Sequence, residues 1–274
     1  MLSLSSTAAS FSVRETHMGE LLAEATSLPF IEVMADNFMA LRGPHYYQLQ
    51  QLAERYPVVL HCVGLSLGGA GPTEEYLKRL THMANELSAI AISDHLSVST
   101  IDGTDLHDLL PIRYDHRTLE QLESQIQRVQ TQTRLPLLLE NISRYLAYRD
   151  DLIDEGEMLA ELNRRTDVGI LLDINNLYVT AHNLDDDPLV LLKHFPLHAV
   201  GYCHLAGHER RQALLVDTHG CHVSEAVWQL FQQVLNSMGP KPTIIEWDNQ
   251  IPPVVTMLRE SAIAERILQE ANYG

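Results

Sequence analysis

The sequence predicts an α/β protein, a single (β/α)8 barrel spanning residues 1–274. Three observations lead there. A chain of 274 residues is long for an ordinary domain but normal for such a barrel, which takes about 250. Eight short apolar runs alternate with stretches of helical periodicity, and no linker or low-complexity segment interrupts them. Six successive runs also stop at an imidazole or a carboxylate, at the strand ends where a barrel gathers its active site.

Taken in order, residues 11–14 form a first strand leading into Glu15-Thr-His17 and a helix through Leu21, Leu22 and Ala25, closed by Pro29. Residues 30–35 form a second strand ending at Asp36-Asn37, and Leu49 and Leu52 mark the helix behind it. The third strand, 57–60, runs into His61. Residues 64–71 are rich in glycine but lack the Gly-Lys-Ser/Thr of a phosphate-cradling loop, so they read as a connection. Leu77, Leu80, Met83, Ala84 and Leu87 then hold one helical face, and that face is predicted to be core. The fourth strand, 90–93, stops at Asp94-His95.

Residues 96–114 are predicted as a long functional connection carrying Asp105, His107 and Asp108. A helix marked by Leu119, Leu122, Ile126 and Val129 leads to the fifth strand, 135–139, which ends at Glu140-Asn141. A helix over about 154–165 precedes the sixth strand, 168–172, which ends at Asp173 and continues into Asn175-Asn176. Asp187-Pro188 starts a short helix through Leu192. The seventh strand, 199–203, stops at His204. An amphipathic helix around Trp228 and Phe231 leads to the eighth, 242–245, ending at Glu246, and a helix over about 252–271 closes the barrel.

Composition narrows the chemistry. The formal charge of −17 and the scarcity of basic clusters argue against nucleic acid as a partner, and leave acidity for cations to answer. Cys62, Cys203 and Cys221 are odd in number and have no Cys-x-x-Cys spacing, so they read as reduced thiols in a cytoplasmic protein. The first basic residue is Arg14, and no apolar run approaches the roughly 18 residues of a membrane span; secretion and membrane insertion are not expected.

His61, His95, Glu140, Asp173, His204 and Glu246 occupy the ends of strands three to eight, and Asp217-x-His219 lies in the connection after the seventh. In an extended segment, side chains two apart face one side, so Asp217 and His219 should offer a carboxylate and an imidazole to one point. Such carboxylates could share a cleft only if cations neutralised them, and the number of positions implies two or three ions. The oxygen and nitrogen donors suit zinc, manganese or iron. With His61 and His204 facing the barrel mouth, alternation turns Cys62 and Cys203 toward the helices as packing residues.

The order His61, His95, Glu140, Asp173-x-x-Asn176, His204, Asp217-x-His219, Glu246 resembles the trinuclear zinc pattern of endonuclease IV-type barrels, in the superfamily shared with xylose isomerase; Asn176 stands where that group has histidine. The surrounding words are more similar to the DUF692 family of multinuclear non-haem iron-dependent oxidative enzymes, which includes the methanobactin-biosynthesis oxidase: His61-Cys-Val-Gly-Leu-Ser-Leu-Gly68, Asp94-His95-Leu96, Asp108-Leu-Leu-Pro111, Leu139-Glu-Asn141, Leu172-Asp-Ile-Asn-Asn176, His204-Leu-Ala-Gly-His208, Asp217-Thr-His-Gly220 and Ile245-Glu-Trp-Asp248. The likeness spans nearly the whole chain. Asp36 and Asp94 stand where the family is expected to carry glutamates, and Cys62 where it carries glycine.

What the resemblance implies is a barrel holding two or three irons that uses dioxygen to oxidise a ribosomally made precursor peptide, at cysteine or other residues, with a partner protein that presents the peptide. By analogy Glu140 would bridge two metals; His61 and His95 would hold one, Asp173, His204 and Glu246 another, and Asn176, Asp217 and His219 a third. Zinc or manganese are the substitutes to weigh, as in a hydrolytic phosphoesterase or a sugar isomerase, and a non-catalytic metal-binding scaffold is the remaining alternative. His17, Asn37, Asn141, Asn175, His182, His208, Arg210, Arg211 and Asp248 are candidates for supporting ligands or touching substrate. Arg210 and Arg211 form a rare basic pair, suited to a carboxylate of the peptide.

Overall fold

The computed structural model describes residues 3–24, 26–101 and 103–273, so Ala25, at the end of the expected first helix, lies outside it. The chain runs β1 (Ala9–Val13), α1 (Glu15–Ala23), β2 (Ile31–Met34), α2 (Pro44–Ala53), β3 (Val58–Cys62), α3 (Glu74–Glu86), β4 (Ala91–His95) and a hairpin of β5 (Ser97–Ile101) and β6 (Thr104–Pro111). It continues through α4 (His116–Thr133), β7 (Leu137–Glu140), α5 (Glu155–Thr166), β8 (Gly169–Asp173), α6 (Ile174–Leu184), α7 (Pro188–Leu191) and β9 (Val200–Leu205). A second hairpin, β10 (Glu209–Arg211) with β11 (Leu214–Val216), precedes α8 (Glu225–Met238), β12 (Thr243–Ile245) and α9 (Val254–Tyr273). Eight strands close a parallel barrel in the order β1-β12-β9-β8-β7-β4-β3-β2. All eight expected strands are therefore present in the expected order.

Local chemistry starts the helices where the sequence placed them. Thr73 caps α3 by accepting from the Tyr76 amide, and Asp154 and Glu157 close a reciprocal capping box on α5. The apolar face of α3, with Leu77, Leu80, Met83 and Ala84, is buried, as is that of α4 with Leu119, Leu122, Ile126 and Val129. Burying one such leucine contributes about 1.5–3 kcal/mol. Among the described residues, no helix is long and apolar enough to cross a membrane.

Two cores result. The large one lies between strands and helices, and it contains Cys62 and Cys203, whose thiols face away from the barrel axis as alternation required. The small one fills the barrel: Phe30, Val59, Ala91, Leu138, Leu171, Tyr202 and Ile244, with Ala8 beneath. Two residues further along the chain from each of those seven stands Glu32, His61, Ser93, Glu140, Asp173, His204 or Glu246. A two-residue step keeps the same face of a strand, so the apolar plug is capped by a layer made wholly of polar side chains.

The structure departs from the sequence reading in three places. Residues 97–111 form an antiparallel hairpin rather than an irregular connection, although Asp102 lies outside the described residues. The chain after Asp173 turns at once into α6, because the Asp173 carboxylate accepts from the Asn176 amide and caps it. Finally, the Asp217-x-His219 stretch is not extended: β11 ends at Val216 and His219 adopts a left-handed φ of 43°. The two side chains still meet, at 2.7 Å, because the turn folds His219 back over Asp217.

Candidate metal centre

The polar layer and the strand ends above it converge on one point. His95 stands two residues beyond Ser93, one layer higher, so β4 contributes its imidazole at the rim while β3 and β9 contribute theirs from within. Glu140 sits at the middle. Its Oε2 is 3.4 Å from both His61 Nε2 and His95 Nε2, and its Oε1 is 3.4 Å from His204 Nδ1. His204 Nδ1 also lies 3.0 Å from Glu246 Oε2, which is 3.2 Å from His219 Nδ1.

These contacts resolve into three linked groups. His61, His95 and Glu140 form one; Glu140, Asp173, His204 and Glu246 a second; His219, Glu246 and Asp248 a third. Within each group the donor atoms lie within 4.8 Å of one another, and Glu140 and Glu246 are each shared by two groups. The third differs from the set implied by family analogy: Glu246 and Asp248 join His219, while Asp217 contacts the other ring nitrogen of His219.

Whether this set fits metal ions is tested by its unsatisfied atoms. Both oxygens of Glu140, His61 Nε2, His204 Nδ1, Asp173 Oδ2, Glu246 Oε2 and both ring nitrogens of His219 are buried without a well-aligned hydrogen bond, although several lie within 2.7–3.2 Å of one another or of Asp217. Buried polar atoms are ordinarily paired, and so many orphans aimed at one point fit cations. The crowding of charge also shows in the titrating groups. Burial opposes a charge on His204, yet Glu32, Glu246 and Glu140 outweigh it and hold the ring well above its usual pKa. His219 is raised in the same way, chiefly by Asp217. Burial lifts the Asp173 carboxyl, with Glu140 and Asp217 adding to it against His219, to about 8. His61 goes the other way, to about 3, because burial and the neighbouring His95 and His204 outweigh its carboxylates.

Asn176 lies beside the cluster with its carboxamide engaged: Oδ1 accepts from Ser143 Oγ at 2.8 Å and Nδ2 donates to the Asn141 carbonyl at 3.0 Å. One lone pair of that oxygen remains. Asn141 grips the end of β8 through two 2.9 Å bonds to the Asp173 backbone. Asn175 links Asp217, at 2.7 Å, to His208, also at 2.7 Å.

Other expected residues lie elsewhere. His17 is a helix-cap residue bonded to the Arg14 amide and the Pro252 carbonyl, Asn37 is exposed on the turn Ala35–Phe38, and His182 is exposed and holds the Ala213 carbonyl. Arg210 and Arg211 are exposed on the β10–β11 hairpin, Arg211 pairing with Glu209 at 3.0 Å, and neither lines the cavity over the cluster. That cavity, about 260 Å³, is walled by Asp108, Tyr145, Asp217 and Asp248.

Four residues at the centre escaped the sequence reading. Arg14 bridges Glu246, at 3.3 Å, and Asp248. Glu32 and Ser93 share a layer with His61 and His204, and Tyr202 lies beneath it: Glu32 Oε2 is 2.9 Å from His204 Nε2, and Ser93 Oγ is 2.9 Å from His61 Nδ1. The alternation that marks the apolar plug would have found Glu32 and Ser93, since each shares a strand face with a plug residue, and Tyr202 belongs to the plug itself.

Fold and site together define a TIM barrel with a buried, multi-carboxylate, multi-histidine centre of the kind that holds metal ions. Residues 8–269 match the family described as RiPP precursor modification enzyme MbnB/TglH/ChrH, and the chain belongs to that family. It is 40% identical over 261 residues to a UPF0276 protein of Chromobacterium violaceum, covering 95% of this chain and 94% of that one. It is also 40% identical over 256 residues to UPF0276 protein Anae109_1558 of Anaeromyxobacter sp., covering 93% and 90%. Among solved structures, a D-tagatose 3-epimerase-like protein superposes with a TM-score of 0.59 at 15% identity, covering 96% of this chain and 98% of that one. A xylose isomerase-like TIM barrel protein from Mycobacterium smegmatis, in complex with magnesium, gives 0.56 at 13% identity, covering 86% and 81%. At those identities the likeness is one of fold, and it confirms the xylose isomerase-like barrel.

Proposed function

We propose that this chain is a multinuclear non-haem iron-dependent oxidative enzyme that uses dioxygen to modify a ribosomally made precursor peptide, at cysteine. Family membership supports the peptide substrate. The observation that carries the metal reading is the set of orphaned donors around Glu140 and Glu246, each carboxylate shared by two groups. His61, His95 and Glu140 would hold one ion, Glu140, Asp173, His204 and Glu246 a second, and His219 with Glu246 and its neighbours Asp217, Asp248 and Asn176 a third. Iron bound there would supply the electron transfer to dioxygen that oxidation of a peptide requires.

The protein's own groups do the rest. Asn141 and Asn175 hold Asp173 and Asp217 in place, Arg14 offsets the excess negative charge at Glu246 and Asp248, and the cavity lined by Tyr145 would receive the peptide residue to be modified. A protein that presents the peptide completes this reading, and the free cysteines accord with a cytoplasmic setting. The carboxylate-rich cavity wall disfavours the polyanionic substrate of a phosphoesterase.

Metal analysis of protein purified without oxygen tests this reading. Two or more irons per chain support it, and zinc in their place would favour a hydrolase. Protein whose peptide-modifying activity survives complete chelation would overturn every metal reading. Coexpression with peptides encoded by neighbouring genes, followed by mass spectrometry, then identifies the modified residue.

A further inference from the structure

We infer that Glu32 is a positioning residue that fixes the ring tautomers of two metal-binding histidines at once, through a one-directional hydrogen-bond belt beneath the centre. The inference rests on the metal reading above. Glu32, Ser93 and Tyr202 belong to the polar layer and the plug beneath it, on β2, β4 and β9. All are buried. His204 Nε2 lies 2.9 Å from Glu32 Oε2, and Tyr202 donates its hydroxyl to that oxygen at 2.7 Å. Tyr202 is 2.7 Å from Ser93 Oγ, which is 2.9 Å from His61 Nδ1.

Proton counting gives the belt a direction. A carboxylate only accepts, so His204 must carry its proton on Nε2, and Tyr202 spends its single proton on Glu32. Ser93 can then satisfy Tyr202 only by donating to it. Having spent its own proton, Ser93 accepts from His61, which must be protonated on Nδ1. When the rings are neutral, as metal-bound imidazoles are, they are thereby locked as opposite tautomers, His61 presenting a bare Nε2 and His204 a bare Nδ1. Those are the two ring nitrogens that face Glu140, each at 3.4 Å. Metal-bound histidines commonly depend on a carboxylate behind the ring, and here one carboxylate serves two rings, one directly and one through two hydroxyls.

The test uses zinc-loaded full-length protein, which is diamagnetic, and reads two quantities: ring-nitrogen tautomers by proton–nitrogen correlation NMR, and zinc affinity by competition with a chelator. Wild-type protein should show His61 protonated on Nδ1 and His204 on Nε2. Glu32→Gln, which keeps the side-chain shape, should weaken zinc binding about 10- to 100-fold. Tyr202→Phe should loosen only the His61 side, leaving the His204 tautomer unchanged. Glu32→Asp, retaining the charge, should restore part of the affinity that Glu32→Gln loses. Either ring in the opposite tautomer, or a folded Glu32→Gln protein with wild-type affinity, overturns the belt and leaves the metal reading standing. Wild-type protein that takes up neither zinc nor iron overturns both.

Discussion

Asp173→Asn should make the metal-free protein more stable and the metal-loaded protein less stable. The Asp173 side chain has two oxygens in different situations: Oδ1 accepts the Asn176 amide at the start of α6, while Oδ2 is buried without a partner, 4.0 Å from His219 Nε2. Asparagine keeps the cap and removes the charge. The native carboxyl is raised from 3.8 to about 8, chiefly by burial. Between those values the folded state holds a proton that the unfolded state has released, so this group's contribution is full below pH 3.8 and is lost as pH rises toward 8. At pH 7 the loss is about 4 kcal/mol, and local relaxation leaves roughly 2–4. For a chain of this size that is a rise of roughly 5–15 °C in melting temperature for the variant in chelator. With metal the order reverses, because a bound cation stabilises the ionised carboxylate and so removes the penalty the variant escapes, while the variant, lacking a charged ligand, also loses binding that contributes about 2.7 kcal/mol for an ion at 100 times its Kd. Differential scanning calorimetry at pH 7, with chelator and with metal, reads both arms. A variant less stable than wild type in chelator, or one whose advantage persists undiminished at pH 4, would refute the reasoning.

Glu155, buried against Tyr114 at 3.0 Å with Arg144 and Asp154 nearby, is pushed by burial to about 7. Its contribution is present below about 4.5 and is lost as pH rises through 7, a change of about 3 kcal/mol, so the stability gap between Glu155→Gln and wild type should shift toward the variant across that window; urea midpoints that move in parallel would contradict this. Gly207→Ala would place a Cβ 2.1 Å from the Cys221 carbonyl oxygen, forcing that backbone to move, and should destabilise by about 1–3 kcal/mol or more in a thermal melt. Asp217→Ala or His219→Ala should lower bound metal by about one ion per chain with the fold intact by circular dichroism. Unchanged metal content would detach that turn from the centre.

The clustered strand-end donors were legible because a one-dimensional rule finds them. A barrel strand is an apolar run, and His61, Glu140, Asp173 and Glu246 each end one, so reading the run to its stop reads the site. The same rule hid α6, since Asp173 ends a strand and caps a helix in a single residue, and the stop signal masked the start signal. It failed differently at residues 97–111, where Ser97-Val-Ser-Thr-Ile101 carries the two-residue alternation of a strand but belongs to a hairpin outside the barrel. Arg210 and Arg211 looked close to the site because they follow His204 closely in sequence. The intervening turn carries them onto an exposed hairpin, where sequence distance no longer measures distance to the clustered carboxylates and imidazoles.

Glu32 was invisible for a deeper reason. Between Ile31 and Val33 a glutamate resembles the solvent-facing member of an alternating strand, and nothing nearby in the sequence marks it as buried. Its partners Ser93, Tyr202 and His204 lie on other strands, and only closure of the sheet brings them together. Yet closure has a sequence signature of its own. In a parallel barrel with helices outside, both faces of every strand are buried, so an alternating polar residue cannot be facing water and must face the axis. Once eight strands are recognised, Glu32 and Ser93 therefore become buried polar groups in need of partners, and those partners are found in their own layer, at His204 and His61, and in the plug below, at Tyr202.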